Sequence, residues 1–294
     1  MKKVQILMST FNGEKYLQEQ LNSLFNQENI KLDILVRDDN STDKTKEILD
    51  RNHIKWYTGK NLKPAKSFFD LIKKSGDFEY YAFCDQDDVW DTKKLYIAIE
   101  KLEKCNNNKP SMYFSNKKIV DQNLNYLYTT NETKKISLGS SLITNIATGC
   151  TIVINKKMME ALKKYSPSFI EMHDAWVYKL CLALDGNVVF DKNSYINYRQ
   201  HQNNVIGNSE SILSKIKRRL KGIIKCNHIK EKMTLEILEG YKDVISQKNL
   251  EILNDFVGYK KLKNKFKLIF KEEYKTGDFS KDLIFKIAVL INKI

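Results

Sequence analysis

In the first half of the chain, short apolar runs alternate with segments in which apolar residues recur every three or four positions. A short apolar run between polar loops predicts a buried strand, and the longer period predicts a helix. Strands are expected at 4–8, 32–36, 54–57 and 80–84. Three helices are expected: the first at 17–25, the second ending at about Leu49, and the third at 66–75. Ser41 or Thr42 is expected to cap the second helix. Alternation at this spacing predicts an α/β fold with a mainly parallel sheet flanked by helices.

The middle of the chain is less regular. Strands are expected at 111–121, 147–155 and 187–190, and helices at 156–165 and 173–184. Beyond about residue 209 the pattern becomes helical and rich in lysine. No segment repeats another, so a repeat architecture is not expected.

Polar residues cluster directly after three predicted strands, at 9–14, 38–43 and 85–88. Ligands of open α/β sheets bind beyond the carboxyl ends of the strands, so the clusters are candidates for one site. The third cluster places Asp85, Asp87 and Asp88 directly behind an apolar run. Ionised carboxylates this close repel one another, and burying one without a partner costs several kcal/mol. An opposing charge, such as a divalent cation, is therefore expected there.

Composition places the chain among globular proteins, since 42% of its 294 residues are apolar and 29% are charged. This length suffices for one large α/β domain with an appendage, or for two smaller domains. No run approaches the roughly eighteen consecutive apolar residues of a membrane-spanning helix. The five cysteines form no CxxC pair, and no secretory signal begins the sequence. A reducing cytosol without structural disulfides is therefore expected.

The net charge of +14 is concentrated toward the C-terminal end. Residues 206–294 contain 20 Lys and Arg against 11 Asp and Glu, which leaves only +5 for the rest of the chain. Such an excess suits an anionic partner, either nucleic acid or an anionic lipid surface. The segment SKIKRRLKGIIKCNHIKEK (214–232) adds apolar residues at near-helical spacing. It predicts either an interfacial amphipathic helix or the basic, solvated face of a docked helix.

Six stretches of the chain carry a family resemblance. In order they are STFNGEKYLQEQLNSLFNQ (9–27), VRDDNSTDKT (36–45), FCDQDDVW (83–90), TGC (148–150), HDAW (173–176) and YRQHQNNVIG (198–207). Together they resemble glycosyltransferase family 2, inverting enzymes with the Rossmann-like GT-A fold, and most closely its bacterial rhamnosyltransferase-like branch. The resemblance implies a GT-A catalytic domain at 1–207, with a nucleotide-sugar half at about 1–105 and an acceptor half at about 106–207. A basic helical region at 208–294, which the resemblance barely covers, would follow.

On the donor side, the resemblance implies that residues of the three clusters bind the nucleotide. These residues are Ser9, Thr10, Phe11, Asn12, Glu14, Asp38, Asp39, Asp85 and Gln86. Asp39 would accept the imide N–H of the base, Asp38 would be more structural, and Asp85 would lie nearer the ribose. An Asx-type turn is the alternative for the acids at 38 and 39, and a helix-start acid is the alternative for Glu14.

The same likeness implies a metal site, in which Asp87 and His201 would bind Mn²⁺ or Mg²⁺ and Asp88 would support the metal or an acceptor hydroxyl. Both ions favour carboxylate, phosphate and water oxygens. Such a cation offsets the charge that builds on a leaving diphosphate. The alternative for the acids is a solvated turn that caps the helix beginning near Thr92, and a lone histidine is commonly structural.

An inverting displacement needs a base for the acceptor hydroxyl, and the resemblance implies Asp174. The alternative for this residue is a helix N-terminal acid that interacts with the helix dipole. Further sugar or acceptor contacts, besides Asp88, would be Trp90, Gly149, His173, Trp176 and Arg199. Core packing is the alternative for both tryptophans, and an ion pair with a nearby acid is the alternative for Arg199.

Two positions after the third strand depart from the branch that the chain resembles. Where its members commonly carry Gly and Asn after the third strand, this chain has Lys63 and Ser67, whereas Asn61 and Phe68 persist. These changes are expected to alter the loop on the donor side.

These observations predict a metal-dependent, inverting glycosyltransferase that adds one sugar to a polyprenyl-diphosphate-linked precursor of a cell-surface polysaccharide. By resemblance the donor is dTDP-rhamnose, with a UDP-hexose or a UDP-N-acetylhexosamine as the alternative. The enzyme would be cytoplasmic and peripheral at the inner face of the membrane, with an anionic membrane surface as a further partner. A nucleic-acid-binding module is the alternative from another class. Nucleic acid is not expected, because the acidic clusters would repel phosphate without a metal.

Overall fold

The computed structural model of the protein describes residues 1–131, 135–200 and 228–294. The strands in these ranges are β1 (Lys2–Thr10), β2 (Ile30–Asp38), β3 (Lys55–Thr58), β4 (Tyr80–Cys84), β5 (Val89–Trp90), β6 (Ser111–Val120), β7 (Tyr126–Thr129), β8 (Val153–Asn155) and β9 (Asn187–Arg199). The α-helices are α1 (Leu17–Phe25), α2 (Thr45–Arg51), α3 (Lys63–Lys74), α4 (Lys94–Glu103), α5 (Leu138–Ile143), α6 (Lys156–Lys164), α7 (His173–Ala183), α8 (Ile229–Tyr241), α9 (Gln247–Val257), α10 (Leu262–Phe270) and α11 (Phe279–Leu290).

All the described strands join one sheet, in the order β3-β2-β1-β4-β8-β6-β9-β5, with β7 paired to β6. The first four strands pair in parallel, as their alternation with helices predicts. Beyond β4 the sheet is mixed, because β8 runs antiparallel to both β4 and β6, whereas β6 and β9 are parallel. The two longest ladders, β1–β2 and β6–β9, are parallel. The prediction of an α/β fold with a mainly parallel sheet is confirmed.

Both faces of the parallel half are buried, because side chains alternate along each strand. On β1, Val4, Ile6 and Met8 belong to one hydrophobic core, whereas Leu7 belongs to the other. Helices α1, α2 and α4 contribute to the first core, and α3, α6 and α7 to the second. This burial on two sides explains why the strands read as continuous apolar runs in the sequence.

The C-terminal helices extend the second core. Ile237 of α8, Phe256 of α9 and Phe285 of α11 belong to the same buried cluster as Phe83 of β4. These helices therefore pack onto the part of the chain that carries the sheet. The predicted domain boundary at 207–208 lies outside the described residues and stays a prediction.

Most predicted elements are present within a few residues, and α1 and β4 have the predicted bounds. The predicted cap of α2 is wrong, because this helix begins at Thr45 after Lys44 and has no side-chain cap. Ser41 is engaged elsewhere, since its hydroxyl and its backbone N–H both donate to the Asp38 carboxylate. Ser41 therefore stabilises the loop after β2 through Asp38 and does not cap α2.

The predicted strand at 147–155 is confirmed only in its last part. Gly149–Thr151 form a single 3₁₀ turn, and Val153–Asn155 alone are extended. Thr148 closes the turn, because its carbonyl accepts from the backbone N–H and the hydroxyl of Thr151. The turn brings Gly149 against His173 at the start of α7.

Candidate active site

The three polar clusters meet at one edge of the sheet. The register of β1 and β2 pairs Thr10 with Asp38, and that of β1 and β4 pairs Met8 with Cys84. The loops that follow these parallel strands therefore start at nearly the same level and lie side by side. Their convergence, predicted from the carboxyl ends of the strands, is confirmed.

Hydrogen bonds hold the first loop against the third. The Gln86 side-chain oxygen accepts from the Phe11 N–H at 2.9 Å, and its amide nitrogen donates to the Phe11 carbonyl at 3.0 Å. A Cβ at Gly13 would lie 2.4 Å from the same Gln86 oxygen. A larger residue at 13 would therefore displace the Gln86 amide from its hydrogen bonds with Phe11.

Asn12 and Glu14 join the first loop to the second. The Asn12 N–H donates to Ser41 Oγ at 2.9 Å, and its side-chain oxygen accepts from the Thr42 N–H at 2.9 Å. The Glu14 carboxylate accepts from the Lys44 N–H at 3.0 Å. Neither side chain lines the cleft at this edge. Both hold the loops together, and their predicted contacts with a nucleotide stay predictions.

A cleft of about 470 Å³ opens between the three loops. Its volume lies within the roughly 300–1,000 Å³ of small-molecule sites. The predicted residues that line it are Ser9, Thr10, Phe11, Asp39, Asp85, Gln86 and Asp87. Lys63, Phe68 and Tyr198 complete much of the remaining wall. The structure thus brings most of the predicted donor-side residues to one cavity.

The two acids after β2 differ in their surroundings. Asp38 is fully buried, where its carboxylate accepts from the Thr10 hydroxyl at 3.2 Å and from the Ser41 N–H at 2.9 Å. Asp39 lies on the cleft wall, and its carboxylate pairs with the Arg37 guanidinium. This arrangement agrees with the predicted division between a structural Asp38 and a cleft-facing Asp39.

The two departures from the family pattern both lie on the Asp39 side of the cleft. The Ser67 hydroxyl donates to Asp39 Oδ2, and it also accepts from Arg37 Nη1 at 3.1 Å. Lys63 begins α3 with φ of +63°, in the left-handed region that favours glycine. Its side chain is exposed and lines the cleft. The substitution of glycine by Lys63 therefore adds a cation to this wall.

The acids after β4 form two layers. Asp85 and Asp87 line the cleft, whereas Asp88 is 1% exposed and lies behind them. Burial, together with the negative charge of Asp87, raises the pKa of Asp85 to about 7. Burial and the charges of Asp87 and Asp85 raise the pKa of Asp88 well above its usual range. The folded site therefore favours an added positive charge.

A divalent cation fits this donor set. One oxygen each of Asp85 and Asp88 and the Cys150 sulfur lie within 4.8 Å of one another. Burial raises the pKa of the Cys150 thiol well above its usual value, so it stays protonated and is a poor ligand for a hard cation. The carboxylates are therefore the groups that would hold the ion. Asp87, a predicted ligand, is not in this convergent group, and the predicted ligand His201 lies outside the described residues.

Arg199 supports the acidic loop from behind. Its Nε donates to the Asp87 carbonyl oxygen at 2.9 Å, and its backbone N–H donates to Asp88 Oδ1 at 3.2 Å. The guanidinium also pairs with Glu19 of α1 and lies 4.3 Å from the centroid of the Tyr16 ring. Because Arg199 is buried by these contacts, they favour the ion-pair alternative for this residue. The predicted contact with a diphosphate or sugar stays a prediction.

The start of α7 places Asp174 near the acidic loop. Burial raises the pKa of Asp174, whereas hydrogen bonds from the backbones of Ala175 and Gly149 and the charge of Lys117 act against this rise. The charge of Asp174 also contributes to the raised pKa of Asp85, so the two carboxylates act on the same region. A carboxylate with a raised pKa in this position suits the predicted base.

His173 lies behind the cleft wall. Its ring stacks on Phe68, with 3.9 Å between ring centroids, and it also contacts Phe83. Burial lowers the pKa of His173 to about 3, so the imidazole is neutral near pH 7. A Cβ at Gly149 would lie 2.5 Å from its Nε2. His173 and Gly149, both predicted substrate contacts, therefore pack against each other, while Phe68 faces the cleft.

Both tryptophans lie in the core. Trp90 is buried beneath Lys94, whose ammonium is 3.2 Å from the ring centroid, and burial lowers the pKa of this lysine to about 8. Trp176 is fully buried and contacts the rings of Phe69 and Tyr165. The structure therefore favours core packing for Trp90 and Trp176 over the predicted contacts with a sugar.

A second cleft, of about 350 Å³, adjoins the first, and Tyr198 lines both. Lys117, Tyr128 and Thr130 line its other walls on and beside the β6–β7 hairpin. The Lys117 ammonium donates to Thr148 Oγ1 at 3.1 Å and lies 4.2 Å from the centroid of the Tyr198 ring. The Lys117 side chain is buried, and its charge favours the ionised forms of Asp85 and Asp174.

Sequence reasoning missed three residues that the structure brings to the site. Cys150 and Tyr198 lie inside the matched stretches TGC and YRQHQNNVIG, so the same resemblance could have identified them. Lys117 is followed by Lys118, and nothing in the sequence distinguishes the buried lysine from the exposed one. Successive side chains of β6 point to opposite faces of the sheet, and the packing on each face decides which lysine is buried.

Comparison with known sequences agrees with this geometry. The family model described as Glycosyl transferase family 2 matches residues 5–163, which is more than half of the chain. The dTDP-rhamnosyl transferase RfbG of Shigella flexneri is 28% identical over 233 residues, which span 72% of this chain and 77% of that protein. The UDP-Glc:alpha-D-GlcNAc-diphosphoundecaprenol beta-1,3-glucosyltransferase WfgD of Escherichia coli is 26% identical over 211 residues, 70% of this chain and 80% of that protein.

Solved structures show the same fold. S. aureus TarS 1-349 in complex with UDP-GlcNAc superposes with a TM-score of 0.57 at 20% identity, covering 92% of this chain and 77% of that one. The mannosyltransferase PcManGT from Pyrobaculum calidifontis, in complex with GDP-Man and Mn2+, gives a TM-score of 0.50 at 13% identity, covering 99% and 86%. At these identities the likeness concerns the fold alone, and the fold is the predicted GT-A type.

The substitution Gly149→Ala should destabilise the protein by about 1–3 kcal/mol, because the new methyl group would overlap the confined ring of His173. Urea unfolding measures the change. The double variant Gly149→Ala/His173→Ala should recover part of the overlap cost, since the smaller side chain leaves room. Strictly additive losses in the two single variants would contradict this close contact.

The stability of the fold should fall with pH below about 6.5, the ordinary pKa of histidine, because His173 binds a proton more readily in the unfolded chain. The folded imidazole resists protonation down to about pH 3. The free energy of unfolding that this group contributes is therefore fully present above pH 6.5, and it is lost as the pH falls from about 6.5 to about 3. In this window, each unit by which the pH falls should lower the free energy of unfolding by about 1.4 kcal/mol. Urea unfolding of the wild type and of His173→Phe should give different slopes against pH.

The exposed His53 provides the control for this pH measurement, and His53→Gln should leave the slope of the wild type unchanged. Parallel curves for the wild type and His173→Phe would show that His173 is not the buried, neutral group described above.

Proposed function

The chain belongs to glycosyltransferase family 2, and from this membership we propose that it moves one sugar, with inversion at C1, from a nucleoside diphosphate to a lipid-linked saccharide. The observation that carries this proposal is the meeting of three loops at one cleft, with Asp85 and Asp87 on its wall. The cleft offers both a binding surface for a nucleotide and the carboxylates that a diphosphate-bound cation needs.

The proposed donor is dTDP-rhamnose, with a UDP-hexose or a UDP-N-acetylhexosamine as the alternative. Support for rhamnose comes from the similarity to RfbG, whereas the similarity to WfgD supports a UDP donor. Phe11, which is half exposed at the cleft, offers a ring face to the base, and Asp39 offers an acceptor for its imide N–H. Lys63 offers a cation to an anionic part of the donor.

In the proposed reaction, an acceptor hydroxyl oxygen bonds to C1 of the donor sugar. The bond from C1 to the diphosphate oxygen breaks, and the diphosphate leaves with the electron pair. Attack from the face opposite the diphosphate inverts the configuration at C1. Asp174 takes the proton of the hydroxyl, and the raised pKa of its carboxyl makes it a stronger base than an exposed aspartate.

The negative charge of the leaving diphosphate needs a counter-charge. The proposed ligands of Mn²⁺ or Mg²⁺, which would supply that charge as a Lewis acid, are Asp87 on the cleft wall and the converging carboxylates of Asp85 and Asp88. Asp88 also accepts a hydrogen bond from the Arg199 backbone, which supports the loop. His201, outside the described residues, is a further proposed ligand.

The second cleft is the proposed site of the acceptor saccharide. Tyr128 and Tyr198 present aromatic rings there, and pyranose rings bind well against such faces. Lys117 lines this cleft, and its charge partly offsets the rise in the pKa values of Asp85 and Asp174. An acceptor held here would place a hydroxyl near the proposed base.

The proposed acceptor carries a polyprenyl diphosphate, which confines it to a membrane. Support comes from WfgD, whose name specifies a diphosphoundecaprenol-linked substrate. The enzyme would therefore act at the cytoplasmic face of the membrane, as a peripheral protein.

The substitutions Asp87→Asn and Asp174→Asn should each lower sugar transfer by about 10²-fold or more, because one removes a proposed metal ligand and the other the proposed base. Transfer is measured as release of nucleoside diphosphate from dTDP-rhamnose and from UDP-hexoses, with Mn²⁺, Mg²⁺ or a chelator. Asp77→Asn is the matched control, because Asp77 is exposed and pairs with Lys156 away from the cleft. Near-normal transfer by either folded site variant would refute the role of that residue.

The substitution Tyr128→Ala should lower transfer to the acceptor by about tenfold, because it removes an aromatic face from the second cleft. Donor hydrolysis without acceptor should be unchanged, since Tyr128 does not line the first cleft. Leu127→Ala is the control, because successive side chains of a strand point to opposite sides. Equal transfer by Tyr128→Ala and the wild type would exclude this cleft as the acceptor site.

A further inference from the structure

Helices α10 and α11 each bury one side and expose apolar residues on the other. Leu268 of α10 is buried in the second core, whereas Leu262, Phe266 and Phe270 are each more than half exposed. The spacing of four residues places these three on one side of the helix, roughly opposite Leu268. The apolar stripe of α10 therefore faces away from the core.

Helix α11 repeats this arrangement beside α10. Phe285 and Val289 are buried, whereas Phe279 is 82% exposed and Leu290 is also more than half exposed. Leu283 lies between them on the exposed side. The two helices contact each other. Together they form what we call the α10–α11 surface, whose apolar residues are Leu262, Phe266, Phe270, Phe279, Leu283 and Leu290.

Single exposed apolar residues are common on proteins, but a contiguous set of large ones marks an interaction site. The Phe266 and Phe270 rings stack on each other, with 6.0 Å between centroids, while both remain largely exposed. Leaving such side chains in water forgoes the free energy that burial of their apolar area would provide. A partner that covers the α10–α11 surface would recover part of this free energy.

The charge around the surface indicates which partner fits. Residues 258–294 contain ten lysines against four acids. Lys261, directly before α10, and Lys263, in its first turn, are both exposed. An apolar stripe on a lysine-rich helix is the pattern of a helix that lies in the plane of an anionic bilayer. The stripe would enter the boundary of the acyl chains, and the lysines would meet the headgroups.

We propose that the α10–α11 surface docks the protein on an anionic lipid bilayer. Two other occupants, a second copy of the chain and the chain's own residues 201–227, fit the charge less well. A second copy would bring two lysine-rich surfaces together. Residues 201–227 carry six basic residues against one acid, so they too would bring positive charge to a positive surface. Like charges on both sides of a contact oppose it. The proposal does not depend on the donor or the acceptor of the sugar transfer.

The test is cosedimentation of the full-length protein with vesicles of phosphatidylcholine, alone or mixed with phosphatidylglycerol. The wild type should bind the mixed vesicles, and raised salt or omission of phosphatidylglycerol should weaken binding. Phe266→Ser/Phe270→Ser should lower the partition coefficient by about tenfold or more, because two apolar anchors are lost. Both residues are exposed, so thermal unfolding of the variant should match that of the wild type.

Leu235→Ser on α8 is the matched control, because Leu235 is exposed and lies outside the α10–α11 surface. This variant should bind vesicles as the wild type does. Absence of binding by the wild type, or equal binding by the double variant, would overturn the proposal. A self-associating species in light scattering that the double variant abolishes would assign the surface to a second copy and would also overturn it.

Donor hydrolysis without vesicles separates this proposal from the proposed function. The double variant should hydrolyse the donor at the rate of the wild type, since neither phenylalanine lines a cleft of the active site. A wild type that binds vesicles but releases no nucleoside diphosphate from any donor would refute the proposed transfer and leave the docking surface standing.

Discussion

The acidic loop after β4 can exist only because other groups hold it in place against the repulsion of its own charges. Arg199 does most of this, since its side chain donates to the Asp87 carbonyl and its backbone donates to Asp88 Oδ1. Its guanidinium in turn pairs with Glu19, which joins the end of β9 to α1. The Gln86 amide fixes the other side of the loop against the backbone after β1. These bonds hold the carboxylates of Asp85 and Asp87 on the cleft wall.

Burial raises the pKa of both Asp85 and Asp174, and the charges of Asp87 and Asp174 raise the pKa of Asp85 further. A site of this kind gains stability when a cation enters, and a diphosphate can then follow the cation. Lys117 limits the effect on the side of the second cleft, because its charge favours the ionised form of both acids. The neutral His173 adds no charge and serves as packing behind Phe68. In the proposed reaction, binding of the donor and activation of the acceptor would therefore share one electrostatic arrangement.

The charge of the chain is divided between regions of opposite sign. Carboxylates concentrate at the cleft, whereas basic residues are in excess toward the C-terminal end, where residues 206–294 contribute +9 to the net charge of +14. The two regions share a hydrophobic core, because α8, α9 and α11 pack on the same face of the sheet as α7. Docking through the α10–α11 surface would therefore hold the catalytic cleft near a membrane. For a transferase of lipid-linked saccharides, this would confine enzyme and acceptor to the same surface.

The sequence by itself determined the parallel half of the sheet and the loops that follow its strands. Apolar runs buried on both faces are local signals, and the parallel strands that they form end at one edge, so Ser9, Asp39 and Asp85 had to meet there. Only the tertiary structure decided that His173 packs behind Phe68. The orientation of a side chain at a helix start depends on rings contributed by α3 and β4, which are distant in sequence. Such contacts cannot be predicted from a local sequence pattern. Packing between elements therefore determined which of the predicted residues line the cleft.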